Sequence, residues 1–86
     1  MKPKCITDDD GTKRWYLNGE LHREDGPAVE RSNGSKFWYL NGKLHREDGP
    51  AREYANGTKE WYLNGQRIEC STQQEFEQLM RLKAFW

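Results

Sequence analysis

A 23-residue repeat restricts the fold of this chain more than any other feature of its sequence. Trp15, Trp38 and Trp61 each begin a "WYLNG" segment, and the first two continue as "WYLNGELHREDGPA" and "WYLNGKLHREDGPA". A segment that recurs at a fixed spacing is typical of a structural unit that buries its apolar side by stacking against its neighbours. The repeated histidines and charges are therefore interpreted first as parts of that unit.

Turn signals divide each repeat into short strands. All eight glycines follow Asp or Asn, and such pairs predict tight hairpin turns, which we expect to be of type I′. Between these turns, "KRWYL", "KFWYL" and "KEWYL" are rich in aromatic residues and predict strands. Alternation along a strand then predicts a buried face of Trp15 and Leu17 and their equivalents, with Tyr16 and its equivalents partly exposed on the other face.

The chain ends with a predicted helix that closes the array. Thr72 and Glu75 have the spacing of a capping box, and Ser71 and Gln74 offer the same spacing one residue earlier. Phe76, Leu79, Met80 and Ala84 share one helical face, with Trp86 near it. We therefore predict a mainly β fold, an antiparallel meander of short strands from three 23-residue repeats with one C-terminal α-helix. It forms a single domain, 1–86, with a β-repeat region at 5–69 and a helix at 72–85.

Composition narrows the function classes. Lys+Arg and Asp+Glu both number 14, so the net charge is zero, and the basic patch typical of nucleic-acid binders is not indicated. No apolar run approaches a membrane span, the start "MKPKCITDDD" does not resemble a signal peptide, and the helix carries too many acids for binding to anionic membranes. We expect a cytoplasmic protein without membrane association. Cys5 and Cys70 are expected as free thiols, with a disulfide between them as the alternative.

Two arrangements of reactive residues were considered and not favoured. His22 and His45 lie beside acids and could act as general bases, but a catalytic set is assembled once and this one occurs twice. Cys5, His22, His45 and Cys70 have the residue types of a zinc site, but the spacings of 17, 23 and 25 include no close pair. We therefore expect no enzyme, no cofactor and no metal.

The remaining candidate site is a binding surface on the repeats. Tyrosine and arginine are favoured at the centres of interfaces, and a sheet presents them with little loss of entropy. Charge reversal of Arg23 and Arg46 is expected to weaken binding and leave the fold intact. Self-association through strand edges, and capture of nucleic acid or a small ligand in an aromatic groove, are the alternatives. The candidate binding residues are Tyr16, Tyr39, Tyr62, Arg23, Arg46, His22 and His45.

The pattern "NG[ST]K-x-WYLNG-x-LHREDGPA" resembles the variant form of MORN repeats (membrane occupation and recognition nexus). It is still more similar to the "WYxNGxxHRxDGPA" repeats found in proteins of tailed phages and large viruses. The resemblance covers residues 5 to about 69. It implies an elongated single-layer β-meander that serves as a scaffold or binding surface. It also implies a phage-encoded inhibitor of a bacterial host protein, acting in the host cytosol against a defence or restriction system.

Overall fold

The computed structural model describes residues 2–83 as a row of short strands followed by one helix. The elements are β1 (Lys4–Thr7), β2 (Lys13–Leu17), β3 (Glu20–Leu21), β4 (Val29–Glu30), β5 (Lys36–Phe37), β6 (Tyr39–Leu40), β7 (Lys43–Leu44), β8 (Arg52–Glu53), β9 (Lys59–Leu63), β10 (Gln66–Ile68) and α1 (Gln73–Lys83). All strand pairs are antiparallel, in the order β1-β2-β4-β5-β8-β9-β10, with β3 also pairing with β2 and β6 pairing with β7. The predicted mainly β meander with a C-terminal helix is confirmed.

The sheet divides at the first two repeat tryptophans. Trp15 donates its N–H to the Ala28 carbonyl (2.8 Å) and accepts from the His22 N–H (3.0 Å). Because N–H and C=O of one strand residue point to the same side, β3 and β4 both lie on one side of β2 and separate at Trp15. Trp38 makes the same two bonds, to Ala51 and His45, at 2.8 and 3.0 Å. Each division leaves an opening that the "HREDGP" loop must fill.

Two different turns connect the strands, and only one is of the predicted type. In the "LNG" turns both central residues have positive φ, as at Asn18 (53°) and Gly19 (81°), which defines type I′. In the "DG" and "NG" turns that precede β2, β5 and β9, only the glycine has a positive φ, as at Gly34 (97°). There the Arg31 carbonyl accepts from the Gly34 N–H at 3.0 Å, which makes a type I turn with a glycine bulge.

The residue before glycine in these bulged turns has a hydrogen-bonding role. The side chains of Asp10, Asn33 and Asn56 accept the N–H two residues ahead at 3.0, 2.9 and 2.9 Å. That N–H holds the pKa of Asp10 below its usual value. Asp and Asn thus occupy this slot because their side chains bond their own turn, and the type I′ prediction was wrong here.

Register assigns the side chains to two faces, which we name from their repeated residues. The tryptophan face carries Trp15, Trp38 and Trp61, and the tyrosine face carries Tyr16, Tyr39 and Tyr62. Cross-strand partners share a face, so Ile6, Arg14, Val29, Phe37, Arg52 and Glu60 belong to the tyrosine face.

The apolar core lies at one end of the tryptophan face. Trp61, Leu63 and Phe76 are 3%, 7% and 0% exposed and form one cluster. Trp15 and Trp38 are half-buried, so the prediction of a continuous core under all three tryptophans holds for Trp61 alone. The physical reason is that α1 covers only the last repeat.

Helix α1 begins where the sequence predicted. The Thr72 hydroxyl accepts the Glu75 N–H at 3.1 Å, which caps the first turn. Phe76 packs on Trp61, with ring centroids 6.4 Å apart, and the Trp61 indole N–H donates to Gln73 Oε1 at 2.9 Å. One aromatic contact and one hydrogen bond thus hold the helix over the last tryptophan. The predicted helical residues 84 and 85, and the predicted place of Trp86, lie outside the described residues.

Removing the tryptophan under the helix should cost more than removing its equivalent in the first repeat. Trp61→Ala empties a buried site and should lower the free energy of unfolding by about 3–5 kcal/mol, whereas Trp15→Ala should lower it by less. Urea denaturation followed by circular dichroism measures both. Equal losses would show that the core extends along the whole face.

Candidate functional site

An arginine covers each of the first two repeat tryptophans. The Cζ atoms of Arg23 and Arg46 lie 3.9 Å from the ring centroids of Trp15 and Trp38. A guanidinium over an indole is attracted by the negative face of the ring, with about 0.5–2 kcal/mol as the usual range. We call these two pairs the arginine stacks. They fill the openings where the sheet divides.

Each stacked arginine is also held by its own loop and the next strand. Arg23 donates through Nε to Asp25 Oδ1, and through Nη1 to the Pro27 carbonyl and Glu30 Oε2, all at 3.1 Å. Arg46 repeats these bonds at 3.0, 3.1 and 2.9 Å, to Asp48, Pro50 and Glu53. The guanidinium therefore makes three hydrogen bonds and one contact with the tryptophan ring, and these four interactions hold the loop to the sheet.

The glycine of "DGP" provides space for the stack. A Cβ on Gly26 would lie 2.9 Å from Arg23 Cζ, and one on Gly49 would lie 2.7 Å from Arg46 Cζ. Neither glycine has the positive φ found at the other six. The prediction of a type I′ turn here was wrong, because glycine is needed for the space beside the guanidinium.

His22 and His45 join one repeat to the next. Nδ1 of His22 accepts the N–H of Asn41 at 3.0 Å, and Nδ1 of His45 accepts that of Asn64 at 2.9 Å. A backbone N–H is always a donor, so Nδ1 of each imidazole is the acceptor and carries no hydrogen. The acceptor roles support the interpretation of both histidines as parts of the repeat.

A second side chain spans each junction at the opposite end of the strands. The buried hydroxyls of Thr12 and Ser35 accept the N–H groups of Ser32 (3.2 Å) and Ala55 (2.9 Å) in the following repeat. Backbone bonds also cross between neighbouring hairpins, such as Gly42 N–H to the Leu21 carbonyl at 2.9 Å. The repeats are thus held in one register.

Opposite charges alternate across the tryptophan face. Register places Lys13 beside Glu30, Glu30 beside Lys36, Lys36 beside Glu53, and Glu53 beside Lys59. Neighbouring opposite charges on one face of a sheet stabilise it by about 0.2–1 kcal/mol per pair. Both glutamates also accept from a stacked arginine, so this face is internally compensated.

The predicted binding residues do not form one surface. Tyr16, Tyr39 and Tyr62 lie on the tyrosine face, half-buried, whereas Arg23 and Arg46 stack on tryptophans of the opposite face. Each of these arginines holds a loop to the sheet, which argues against the prediction that reversing their charge would leave the fold intact.

An aromatic cluster on the tyrosine face was not predicted. The Arg52 guanidinium lies 5.6 Å from the ring centroids of both Phe37 and Tyr62, and 5.8 Å from that of Tyr54. Phe37 and Tyr54 meet edge to face at 5.6 Å. Arg52 and Tyr54 take the place of Val29 and Arg31 in the preceding repeat. This departure from the repeat was the signal that could have revealed the cluster.

Glu60 balances the charge of Arg52 in this cluster, but the hydrogen bonding of the guanidinium is incomplete. Glu60 Oε1 accepts from Arg52 Nη1 and the Tyr54 hydroxyl, both at 3.3 Å. Burial raises the pKa of Tyr54, which Arg52 opposes. Burial alone would lower the pKa of Arg52, but the nearby Tyr54, Tyr62 and Glu60 outweigh it and raise it. Arg52 Nε is buried and has no hydrogen-bond partner within the described residues.

A cleft of about 400 Å³ separates the two "HREDGP" loops. Trp38, Leu40 and His45 line it between the acidic pairs of the loops, Glu24 with Asp25 and Glu47 with Asp48. No serine, threonine or cysteine lines it. The cleft thus offers carboxylates and the two stacked arginines around an aromatic side chain, and no hydroxyl or thiol group.

Other chemistry is sparse in the described part of the chain. Cys5 is exposed and Cys70 is partly covered, and both thiols are free. Burial raises the pKa of Cys70, and Glu75 and Glu69 add to the effect. Within residues 2–83 no three His, Cys, Asp or Glu side chains are grouped to hold a metal ion. The helix found there is too short and too polar to cross a bilayer.

Comparison with known proteins gave no match: no family model, no curated protein and no solved structure is similar to this chain.

Gly49→Ala should destabilise the protein through Arg46. The new methyl group displaces the guanidinium from Trp38, with an expected loss of about 1–3 kcal/mol in the free energy of unfolding. In an Arg46→Met background the same substitution should cost nothing or stabilise slightly, since it then only restricts the unfolded chain. A double-mutant cycle in urea gives the coupling, and a coupling near zero would contradict the steric role of Gly49.

His45→Leu should cost about 0.5–1.5 kcal/mol of unfolding free energy, because the exposed hydrogen bond from the Asn64 N–H to Nδ1 is lost and water takes its place. His45→Asn is the matched control, since its side-chain oxygen occupies nearly the place of Nδ1 and can accept the same bond. Thermal or urea denaturation of both variants tests this. If the two are equally destabilised, the hydrogen bond is not what His45 contributes.

Proposed function

We propose that this chain is a small non-enzymatic protein-binding module and that the tyrosine face is its contact surface. The observation that carries the proposal is the difference between the two faces. On the tryptophan face the arginines are bonded within the repeat and α1 covers the last tryptophan. On the tyrosine face three equivalent tyrosines are half-buried, and the Arg52 side chain, 33% exposed, lies among three aromatic rings.

The dimensions of the molecule suit such a role. It extends 43 × 32 × 17 Å, a thin plate whose broad side exceeds the roughly 800 Å² that one partner contributes to a typical stable interface. The inter-repeat bonds fix the strands before binding, so little entropy is lost when a partner docks. A flat, preorganised sheet is a better match to a protein surface than to a small ligand, which binds in a concave pocket.

The side chains on this face are of the types that dominate interfaces. Tyrosine and arginine are enriched among the residues that contribute most to binding energy. Here Tyr62, Tyr54 and Phe37 surround Arg52, so an apolar patch has a cation at its centre. A partner carboxylate or carbonyl that meets this patch would bond the exposed part of the Arg52 guanidinium, whose side chain is 33% exposed.

Catalysis and nucleic-acid binding are less well supported. The histidines of the repeat accept backbone hydrogen bonds, and no hydroxyl or thiol group lines the cleft between the loops. Zero net charge gives no general attraction to phosphates. These features favour a protein partner.

The resemblance to the repeats of phage proteins extends the proposal to an inhibitor of a bacterial host protein. A compact module that binds tightly and carries no chemistry of its own acts by occupying a surface. Under this proposal the partner belongs to a defence or restriction system, and the inhibitor works in the host cytosol.

Affinity capture with the tagged chain from bacterial lysate tests the class of partner. We expect one stoichiometric protein that is retained after nuclease treatment. Loss of the partner with nuclease would instead indicate nucleic acid.

Two triple variants then test the surface. Tyr16, Tyr39 and Tyr62 changed together to Thr should weaken the captured interaction about 30-fold or more. Lys13, Lys36 and Lys59 changed to Thr alter the same strands on the opposite face and should change affinity little. Threonine keeps β-propensity in both, and melting temperatures confirm that both fold. Equal affinities in the two variants would rule out the tyrosine face as the contact surface.

A further inference from the structure

The outer edge of β1 is an unpaired strand edge. β1 lies at the end of the sheet, and among the strands of residues 2–83 it pairs with β2 alone. All four of its residues are exposed, including Ile6 at 51%. An uncovered edge of this kind presents backbone donors and acceptors that a further strand can use.

The register of β1 shows which backbone groups point outward. Lys4 pairs with Tyr16 and Ile6 with Arg14, and the Asp8 N–H continues the same ladder to the Thr12 carbonyl at 2.8 Å. In an antiparallel pair alternate residues bond to the partner strand. Cys5 and Thr7 therefore direct their N–H and C=O groups to the open edge, and Pro3 offers its carbonyl only.

Charge is distributed asymmetrically along this segment. Lys2 precedes the strand and Lys4 is its first residue, whereas Asp8, Asp9 and Asp10 follow it. A lysine on an edge strand normally opposes pairing with another chain. An antiparallel copy of the same segment is the exception, because it brings the lysines of one copy to the aspartates of the other.

We propose that two copies of this chain pair through β1 as an antiparallel two-fold dimer centred on Ile6. In this register Cys5 of each copy exchanges both backbone hydrogen bonds with Thr7 of the other, which gives four bonds in all. Lys4 then lies opposite Asp8, which already accepts from Arg14. A register centred on Cys5 would oppose Thr7 to Pro3, which has no N–H, so the Thr7 carbonyl would lack a donor and Lys4 would no longer oppose Asp8; the Ile6 register is therefore favoured.

The dimer joins the two sheets into one. Its two-fold axis is perpendicular to the sheet, so cross-strand partners share a face and both tyrosine faces lie on the same side. Four hydrogen bonds and two ion pairs over a small area predict a reversible, concentration-dependent dimer.

Sedimentation equilibrium of the full chain tests the association. The wild-type protein should approach twice its 10.2 kDa mass as concentration rises. Thr7→Pro removes one outward donor per copy, two bonds per dimer, and should weaken the dimer about 30-fold with little change in melting temperature. Thr7→Val keeps the N–H and should dimerise like the wild type. A wild-type chain that stays monomeric up to roughly 1 mM would overturn the proposal.

Disulfide trapping tests the register. Opposed residues that do not exchange hydrogen bonds have Cα atoms about 4.5 Å apart, within the range of a disulfide. Ile6→Cys, combined with Cys5→Ser and Cys70→Ser, should therefore form a covalent dimer under mild oxidation. Two Cys5 side chains lie on a diagonal of about 7–8 Å or more and should cross-link at most slowly in a Cys70→Ser control. Rapid cross-linking through Cys5 with none through position 6 would contradict the Ile6 register.

Discussion

The stacking of an arginine on a tryptophan holds the repeat together where its backbone ladder divides. A sheet that separates at Trp15 and again at Trp38 needs something in each opening. The segment "LHREDGPA" supplies it residue by residue. The histidine accepts a backbone N–H of the next repeat. The arginine covers the indole, and the aspartate accepts a hydrogen bond from that arginine. The glycine leaves room for the guanidinium, and the alanines that follow, Ala28 and Ala51, are 0% exposed. The charge-rich composition of this segment thus has a packing origin.

The last repeat shows what the arginine replaces. At the position of Arg46 it has Glu69, and no "HREDGP" loop follows. Helix α1 covers this tryptophan instead: Phe76 packs against the Trp61 ring, and the Gln73 side chain accepts the indole N–H. The same tryptophan is therefore covered by a cation from its own loop within the array and by an aromatic side chain at its end. The cluster of large buried apolar side chains is confined to the repeat that has the helix.

The sequence was sufficient for the architecture and insufficient for the site. Period, strand alternation and the Thr72 cap depend on local geometry, so the meander and the start of the helix were predictable. The arginine stacks were not predictable, because the same run of charged residues is compatible with solvent-exposed side chains and with a guanidinium stacked on a ring. Gly26 and Gly49 were misassigned for a related reason: Asp-Gly is a turn signal, and the space that a glycine leaves is visible only in three dimensions. The Arg52 cluster depends on a contact across strands from different repeats, which no single segment encodes.

Because the large buried apolar side chains cluster at the helical end, the two ends of the chain differ in local stability. Contacts that exclude water from large side chains are concentrated around Phe76, whereas the first repeat depends on ion pairs, a cation on an indole and hydrogen bonds at its junction with the second. In a one-dimensional array, local opening starts where the end unit has the weakest intrinsic stability and propagates inward. Amide hydrogen exchange should therefore be fastest toward β1 and slowest in β9, so that the strand edge offered to other chains belongs to the part of the molecule that opens most readily.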